Sequence, residues 1–409
     1  MNSSTTPLSN NDPKLCEFLF EKITNTPQQQ ITFAEYMDAV LYHPEYGYYA
    51  SQQPQIGAAG DFFTSPHLGT DFGEMLAEQF VEMWEKLECP QGFTLVEMGA
   101  GQGILAGDIL NYLSKRYPEF LKTINYIIIE KSSILKAEQQ QQLQRQINAS
   151  VSIEWCELEG LSDNAITGCF FSNELVDALP VHLVTIQNSQ LQEVYVRACR
   201  AQTSPLYPID VKFTESTGEL STPKLKEYFQ LVNIDILSSI YSNRYRTEIN
   251  LNAIEWIKTV ATKLYQGFIL TIDYGYSASR YYTPTRRSGT LQCYYQHRHH
   301  NDPYINIGRQ DITAHVDFTA LENQGNLSGL EVIGKTQQAL FLMALGLGDR
   351  IANITQSSHT SLSETLRRRE ALHSLINPMG LGNFLVLIQS KNLTANSGIP
   401  ISLKGFKPL

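Results

Sequence analysis

The segment Leu95-Val96-Glu97-Met98-Gly99-Ala100-Gly101-Gln102-Gly103-Ile104-Leu105 constrains this chain more than any other. An apolar run breaks off into glycines at alternate positions, and helix-forming residues follow at once. Glycine accepts a left-handed turn without strain and leaves no Cβ to hold a ligand off the backbone. Strand, tight turn and helix N-terminus together form a nucleotide-type cofactor site at the edge of a parallel sheet. A dinucleotide fingerprint starting at Gly99 needs glycine at position 104. Ile104 stands there instead.

The rest of the chain supplies the sheet that such a turn requires. Short apolar runs alternate with helical stretches: Phe93–Met98, Tyr126–Ile129, Val151–Trp155, Gly168–Phe171 and Phe268–Ile272, then Leu330–Val332 and Phe384–Ile388. This alternation predicts an α/β fold with a parallel sheet and crossover helices, the final run being a candidate antiparallel strand. Upstream the pattern is helical. Thr32 caps a helix carrying Phe33, Tyr36, Met37 and Val40, with Glu35 at the capping-box position. A second helix over Phe72–Leu87 aligns Met75, Leu76, Phe80, Met83 and Trp84 on one stripe.

The resulting plan has a flexible tail over 1–12 and an N-terminal helical region over 13–92. The first half of the core covers 93–199, a helical insertion 200–251, the fifth core strand 252–275, an ordered lid 276–325, and C-terminal strands and helices 326–409. Glutamine runs at 28–30 and 139–142 read as solvated surface.

Composition excludes several classes. The 409 residues suffice for two or three domain-sized units, and 42% hydrophobic with 18% charged residues supports a packed core. A net charge of −10 argues against a surface that grips nucleic acid throughout. No run approaches the roughly eighteen consecutive apolar residues of a membrane span, so a soluble chain without membrane insertion is expected. The start, MNSSTTPLSNND, has neither a basic nor an apolar leader region, and the first arginine is Arg116, so a cytoplasmic location is expected. Cysteines 16, 89, 156, 169, 199 and 293 form no CxxC pair and read as buried reduced thiols. His297, His299, His300 and His315 lack zinc spacing, and no metal site is expected.

Candidate site residues cluster where strands end. Glu130 follows the second strand, where a carboxylate accepts both hydroxyls of an adenosine ribose. Alone it is equally a solvated strand-end acid, and the glycine turn decides for the cofactor. Asn173, Glu174 and Asp177 follow the fourth strand. A helical turn over Leu175–Leu179 would set Glu174 and Asp177 on one face, where paired carboxylates suit a guanidinium. A helix cap with a solvated acid is the bland alternative. In the lid, Arg280, Arg286, Arg287, Arg298 and Arg309 interleave with Tyr281, Tyr282, Tyr294 and Tyr295. Such mixing serves RNA, but acids at 174 and 177 would repel phosphate. Arg367, Arg368 and Arg369 read as a solvated helix face.

Glycine at 103 gives the pattern ExGxGxG, which resembles S-adenosylmethionine (SAM) methyltransferases. A longer series narrows the resemblance. It begins with Tyr42-His43-Pro44-Glu45-Tyr46-Gly47-Tyr48-Tyr49, Gly60-Asp61-Phe62, Thr64-Ser65-Pro66 and Phe72-Gly73-Glu74. It continues with Asn173-Glu174, Asp177-Ala178-Leu179-Pro180, Asp273-Tyr274-Gly275, Gly289-Thr290-Leu291 and the run from Asp311 to Phe318. In this order the blocks resemble the MidA-like SAM-dependent methyltransferases, a family that includes a mitochondrial complex I assembly factor with protein-arginine methyltransferase activity. The resemblance implies a seven-stranded Rossmann-like class I methyltransferase sheet with an N-terminal helical region and an inserted substrate or lid domain. It also implies SAM as cofactor and an arginine on a protein partner as acceptor, with a subunit of a complex I-like NADH dehydrogenase as the candidate partner.

By that resemblance Gly60, Asp61 and Phe62 lie beside the cofactor with Glu97, Gly99, Gly101, Gly103 and Glu130. Glu174, Asp177, Asn173 and Asp273 are then the candidate catalytic residues. Two departures from the family pattern stand out: His67 where many relatives carry glutamate, and Ala100 and Gln102 where many carry proline and arginine. Three other functions compete: a non-catalytic assembly chaperone on this fold, an RNA methyltransferase and an NAD-dependent oxidoreductase.

Overall fold

The computed structural model describes residues 10–50, 64–144, 146, 151–201, 210–296, 298–354, 361–393 and 401–408. The chain divides into two compact units, each assembled from three segments. One unit comprises Phe63–Asp177, Ala253–Ala278 and Val316–Leu409. It holds a seven-stranded sheet of β1 (Phe93–Met98), β2 (Ile124–Ile129), β3 (Ile153–Cys156), β4 (Ile166–Asn173), β5 (Leu264–Asp273), β6 (Glu331–Gln337) and β7 (Leu385–Lys391). Their order across the sheet is β6-β7-β5-β4-β1-β2-β3.

The pairings β5–β4, β4–β1, β1–β2 and β2–β3 are parallel, and β7 runs antiparallel to both β5 and β6. In β1 every residue is buried, which is why the strand reads as an unbroken run rather than an alternation. Register sets Val96 between Ile127 and Phe170, and Leu270 opposite Ile388. The core adds helix Asp71–Lys86 and helix Ile104–Arg116, through Met75, Phe80, Leu105 and Ile109. Those helices approach closely at Gly73, where a Cβ would fall 2.7 Å from Asp108 Cβ.

Parallelism has a direct consequence for the site. Strands β5, β4, β1 and β2 are neighbours pointing the same way, so their carboxyl ends, at Asp273, Asn173, Met98 and Ile129, share one edge of the sheet.

Arg367, Arg368 and Arg369 are exposed, as expected of a solvated helix face, and Arg368 also reaches Asp71. Its Nε and Nη2 donate to Asp71 at 2.8 and 2.7 Å, and Arg350 Nη1 adds a third bond at 2.9 Å. Arg350 also pairs with Glu74.

The other unit comprises Met1–Phe62, Ala178–Asn252 and Ser279–His315. Its five-stranded sheet runs Ile31–Thr32, Gln190–Ala201, His182–Gln187 and Arg246–Ile249, with Asp210–Gly218 paired to Gln190–Ala201. Its core gathers Leu15, Leu19, Phe33, Tyr36, Leu183 and Val196. The capping box expected at Thr32 is present: Glu35 N donates to Thr32 Oγ1 at 3.1 Å, and Thr32 N donates to Glu35 Oε2 at 2.8 Å.

Several boundaries differ from the sequence plan. The insertion expected to be helical over 200–251 carries, among its described residues, the strands Asp210–Gly218 and Arg246–Ile249 as well as helix Lys224–Leu231. Arg246–Ile249 pairs with His182–Gln187, some sixty positions earlier, and Asp210–Gly218 with the preceding strand Gln190–Ala201; such pairing is not registered by local periodicity. Residues 178–199, read as core, form strands His182–Gln187 and Gln190–Ala201 of this second sheet. The lid expected over 276–325 is split: Ser279–His315 belongs to this unit and carries the three-stranded sheet Gln292–Tyr295, Arg298–His300 and Asp311–Thr313. The N-terminal region divides at residues 62 and 63. Of the tail expected over 1–12, residues 1–9 lie outside the described residues, and Asp12 is ordered: it caps helix Pro13–Thr24 and its N–H donates to Ile307 O at 2.8 Å.

Buried Glu248 anchors the segment Gly289-Thr290-Leu291, accepting from Thr290 N at 3.0 Å, Leu291 N at 3.2 Å and Tyr281 Oη at 3.1 Å. The six cysteines are reduced thiols; Cys16, Cys169 and Cys293 are buried as expected, whereas Cys89 and Cys199 are exposed. Among the described residues no helix is long and apolar enough to cross a membrane.

Candidate active site

The glycine turn leaves β1 with three left-handed residues, φ being +73° at Gly99, +52° at Gly101 and +79° at Gly103. A non-glycine residue at any of them would be strained. Among the described residues, nothing lies within 4 Å of a Cβ placed on Gly101, so they leave open space beside the backbone there. Gly103 caps helix Ile104–Arg116, whose first amides face the turn.

Glu97 and Glu130 take different places around the turn. Glu97 is buried, and Tyr126 Oη donates to its Oε2 at 2.6 Å. Burial pushes its carboxyl up to about 7, with the Tyr126 hydrogen bond pulling down and the Glu130 charge adding to the rise. It underpins the strand end from within the protein. Glu130 is half-buried just past β2; its Oε1 accepts from Ser132 N at 2.8 Å and its Oε2 from Gln139 Nε2 at 2.9 Å.

Gln139 corrects the solvated surface expected of its glutamine run. It is fully buried, and its Nε2 also donates to Gly101 O at 2.8 Å while Trp155 Nε1 donates to its Oε1 at 2.9 Å. One turn of helix Ser133–Gln142 directs this side chain inward, and the three identical residues after it give no signal of that. Its spacing from Leu135 at i, i+4 is the one available sign, since Leu135 is the other buried residue of that helix.

The two family departures meet each other. His67 Nε2 lies 3.3 Å from Gln102 Oε1, and His67 Nδ1 lies 2.6 Å from Thr64 Oγ1. Gln102 Oε1 only accepts, so Nε2 carries the proton and Nδ1 accepts from the threonine hydroxyl. Burial lowers the His67 pKa and favours this neutral form. The turn Ser65–Leu68 is thereby tied to the glycine turn. Gly60, Asp61 and Phe62 lie outside the described residues.

On the acceptor side, β4 delivers Asn173 and Glu174 to the same edge. Glu174 has φ +54°, a left-handed conformation that disfavours a side-chain-bearing residue by roughly 1–2 kcal/mol. Its N–H donates to Ile272 O at 2.9 Å, and Asn173 Nδ2 donates to its Oε1 at 2.9 Å. Asn173 Oδ1 is buried without a hydrogen-bond partner among the described residues. Such an acceptor is costly unless a ligand or water meets it.

The expected shared helical face of Glu174 and Asp177 is not what joins them. The left-handed Glu174 breaks any helix there, and only the short turn Val176–Ala178 follows. Asp273 organises this loop instead: its Oδ2 accepts from Val176 N at 2.9 Å and Asp177 N at 3.3 Å, and its Oδ1 accepts from Tyr274 N at 2.9 Å. Asp273 is fully buried. Burial, then the charges of Asp177 and Glu174, push its carboxyl well above the ordinary range. Its sequence position suits a catalytic acid at the ligand edge; its oxygens are engaged by backbone amides, which makes it a support for that loop.

The acidic loop and the glycine turn are in contact, since a Cβ on Gly99 would fall 2.9 Å from Leu175 Cδ1. The structure therefore brings Gly99, Gly101, Gly103, Glu130, Asn173, Glu174 and Asp177 to one edge. No group of His, Cys, Asp and Glu arranged for a metal ion occurs among the described residues, and His297 lies outside them.

A cofactor turn beside an acidic loop at the carboxyl edge of a seven-stranded sheet has a close counterpart. Residues 75–336 match the family model of S-adenosyl-L-methionine-dependent methyltransferases. The chain belongs to that family.

Proteins of similar sequence and structure extend the match to nearly the whole chain. A crystal structure from Burkholderia thailandensis, with S-adenosyl-homocysteine bound, superposes with a TM-score of 0.81 at 29% identity, covering 96% of this chain and 94% of that one. The Rattus norvegicus protein arginine methyltransferase NDUFAF7, named as mitochondrial, is 29% identical over 95% of this chain and 87% of its own length. Its Homo sapiens counterpart is 26% identical over 96% and 87%. The methyltransferase fits its cofactor on its own geometry: the space beside Gly101 admits a ligand, and Asn173 Oδ1 lacks a partner among the described residues.

Proposed function

We propose that this SAM-dependent methyltransferase modifies an arginine side chain on a protein partner. The observation that carries the proposal is the Asn173–Glu174 pair. A carboxylate and a buried carbonyl oxygen without a partner among the described residues stand side by side next to the cofactor turn. Both accept hydrogen bonds, and a guanidinium presents several N–H donors in one plane. The relatives named as protein arginine methyltransferases support the same acceptor.

Bound SAM supplies a methyl group activated on a sulfonium. We assign Glu130 to the ribose hydroxyls, and the backbone of Gly99, Gly101 and Gly103 to close approach along the turn. Gly60, Asp61 and Phe62 are assigned to the cofactor side by family resemblance. Glu174 and Asn173 Oδ1 orient the guanidinium, and Asp177 adds negative charge where positive charge develops. Methylation exchanges one N–H proton for a methyl group, and Glu174 is the base we assign to take that proton. Asp273 holds the loop that presents these groups.

A subunit of a complex I-like NADH dehydrogenase is the partner that family resemblance implies. We place the chain in the cytoplasm, whereas the animal relatives are named as mitochondrial proteins, so fractionation of cells carrying the tagged chain decides between the two. The acceptor is tested by transferring tritiated methyl groups to cell protein, hydrolysing, and identifying the labelled amino acid. Label in methylarginine is the expected outcome. Label confined to RNA or small metabolites would overturn the acceptor assignment.

A further inference from the structure

We infer that Gln139 is a positioning residue for the cofactor, holding the Glu130 carboxylate where the ribose hydroxyls meet it. The inference deepens the proposed function and rests on the assignment of Glu130 to the ribose. Gln139 is fully buried, and both ends of its carboxamide are hydrogen-bonded. Trp155 Nε1 is a donor only, so the atom facing it at 2.9 Å must be the carbonyl oxygen. That choice turns the NH2 group toward Gly101 O at 2.8 Å and Glu130 Oε2 at 2.9 Å. The amide cannot flip without opposing donor to donor.

The bracket links parts that approach from different directions. Trp155 belongs to β3, Glu130 follows β2, and Gly101 lies in the turn after β1. The backbone of Gln139 also packs on the turn, since a Cβ on Gly103 would fall 3.4 Å from Gln139 Cα. With Ser132 N on Oε1, Gln139 on Oε2 and the Lys131 N–H as a further donor, the carboxylate is held at both oxygens. Leucine at 139 would strand three polar groups at once. Glutamate would set a second carboxylate against Glu130 and a carbonyl.

The test is calorimetric titration of S-adenosylhomocysteine and of its 2′,3′-dideoxy analogue into the wild-type chain, Q139L, E130A and the double variant, alongside donor KM and kcat. Loss of hydrogen bonds to a charged group predicts that Q139L binds S-adenosylhomocysteine about tenfold more weakly. The analogue, lacking the hydroxyls, should lose much less. The double variant should bind about as E130A does, because the route runs through Glu130. KM for the donor should rise while kcat at saturation stays within about twofold. Equal losses for both ligands, or additive losses in the double variant, would overturn the inference. A loss in E130A with none in Q139L would overturn it and leave the ribose assignment standing, whereas no loss in E130A would overturn both. Should Q139L not fold, W155F removes the donor that orients the amide and should show the same selective weakening on a smaller scale; equal weakening for both ligands there would again sink the inference.

Discussion

Glu97 and Gly101 show how much chemistry a single position carries. Glu97 is a buried acid whose pKa rises from 4.5 to about 7. Its protonated form is therefore favoured by folding: the stabilisation is complete below pH 4.5 and is lost as pH rises through about 7. E97Q mimics the protonated form and keeps an acceptor for Tyr126. Urea unfolding should give the variant little advantage at low pH and up to about 3 kcal/mol in alkaline solution; a pH-independent difference would refute the burial argument. At Gly101 the expectation is separation of folding from binding. A valine there incurs roughly 1–2 kcal/mol of left-handed strain but its Cβ meets no atom of the described residues. G101V should keep its circular dichroism spectrum and lose S-adenosylhomocysteine binding in calorimetry. The glycines are legible in sequence because their requirement is local. Asp273 and Gln139 are not, because an aspartate at a strand end and a glutamine in a polar helix look the same whether they face water or a buried backbone.

Between elements, two linkages set the site's surroundings. The His67–Gln102 hydrogen bond ties Ser65–Leu68 to the glycine turn. H67A and Q102A should each raise the donor KM severalfold, and the double variant should add little to either, since both remove one contact. Additive effects in steady-state kinetics would dissociate the two residues. A second linkage is electrostatic, and it joins Asp71 to Arg350 and Arg368. Burial alone would raise the Asp71 carboxyl, yet the two guanidinium groups hold it below the ordinary range. D71N leaves two cations without their shared anion and should lower stability by about 2 kcal/mol, less than a fully buried pair because Arg368 is partly solvated. An unchanged melting temperature would contradict that. Spacing alone marks His67 and the arginines as charged or polar, but not that helix Leu362–Leu375 brings one arginine back to Asp71 across 297 positions.

For the whole molecule, a ligand that binds only the folded chain raises its stability with concentration. S-adenosylhomocysteine at a hundredfold its Kd should add about 2.7 kcal/mol, and NAD nothing; a melting shift with NAD alone would return the oxidoreductase to consideration. The methyltransferase sheet is readable from sequence because its central strands are covered on both faces and so appear as apolar runs, with Phe93–Met98 found at the expected limits. The glycine turn and the acidic segment after β4 are readable for a related reason: a parallel sheet sends every strand's carboxyl end to one edge. What sequence could not determine was the second unit's five-stranded sheet, whose strand Gln190–Ala201 pairs with both Ile31–Thr32 and Asp210–Gly218. Nor could it determine that Asp273 supports the acidic loop or that a buried glutamine joins Glu130 to the turn. Strand runs and glycine turns follow from forces between near neighbours in the chain, whereas partners distant in sequence are chosen only when the folded backbone closes around them.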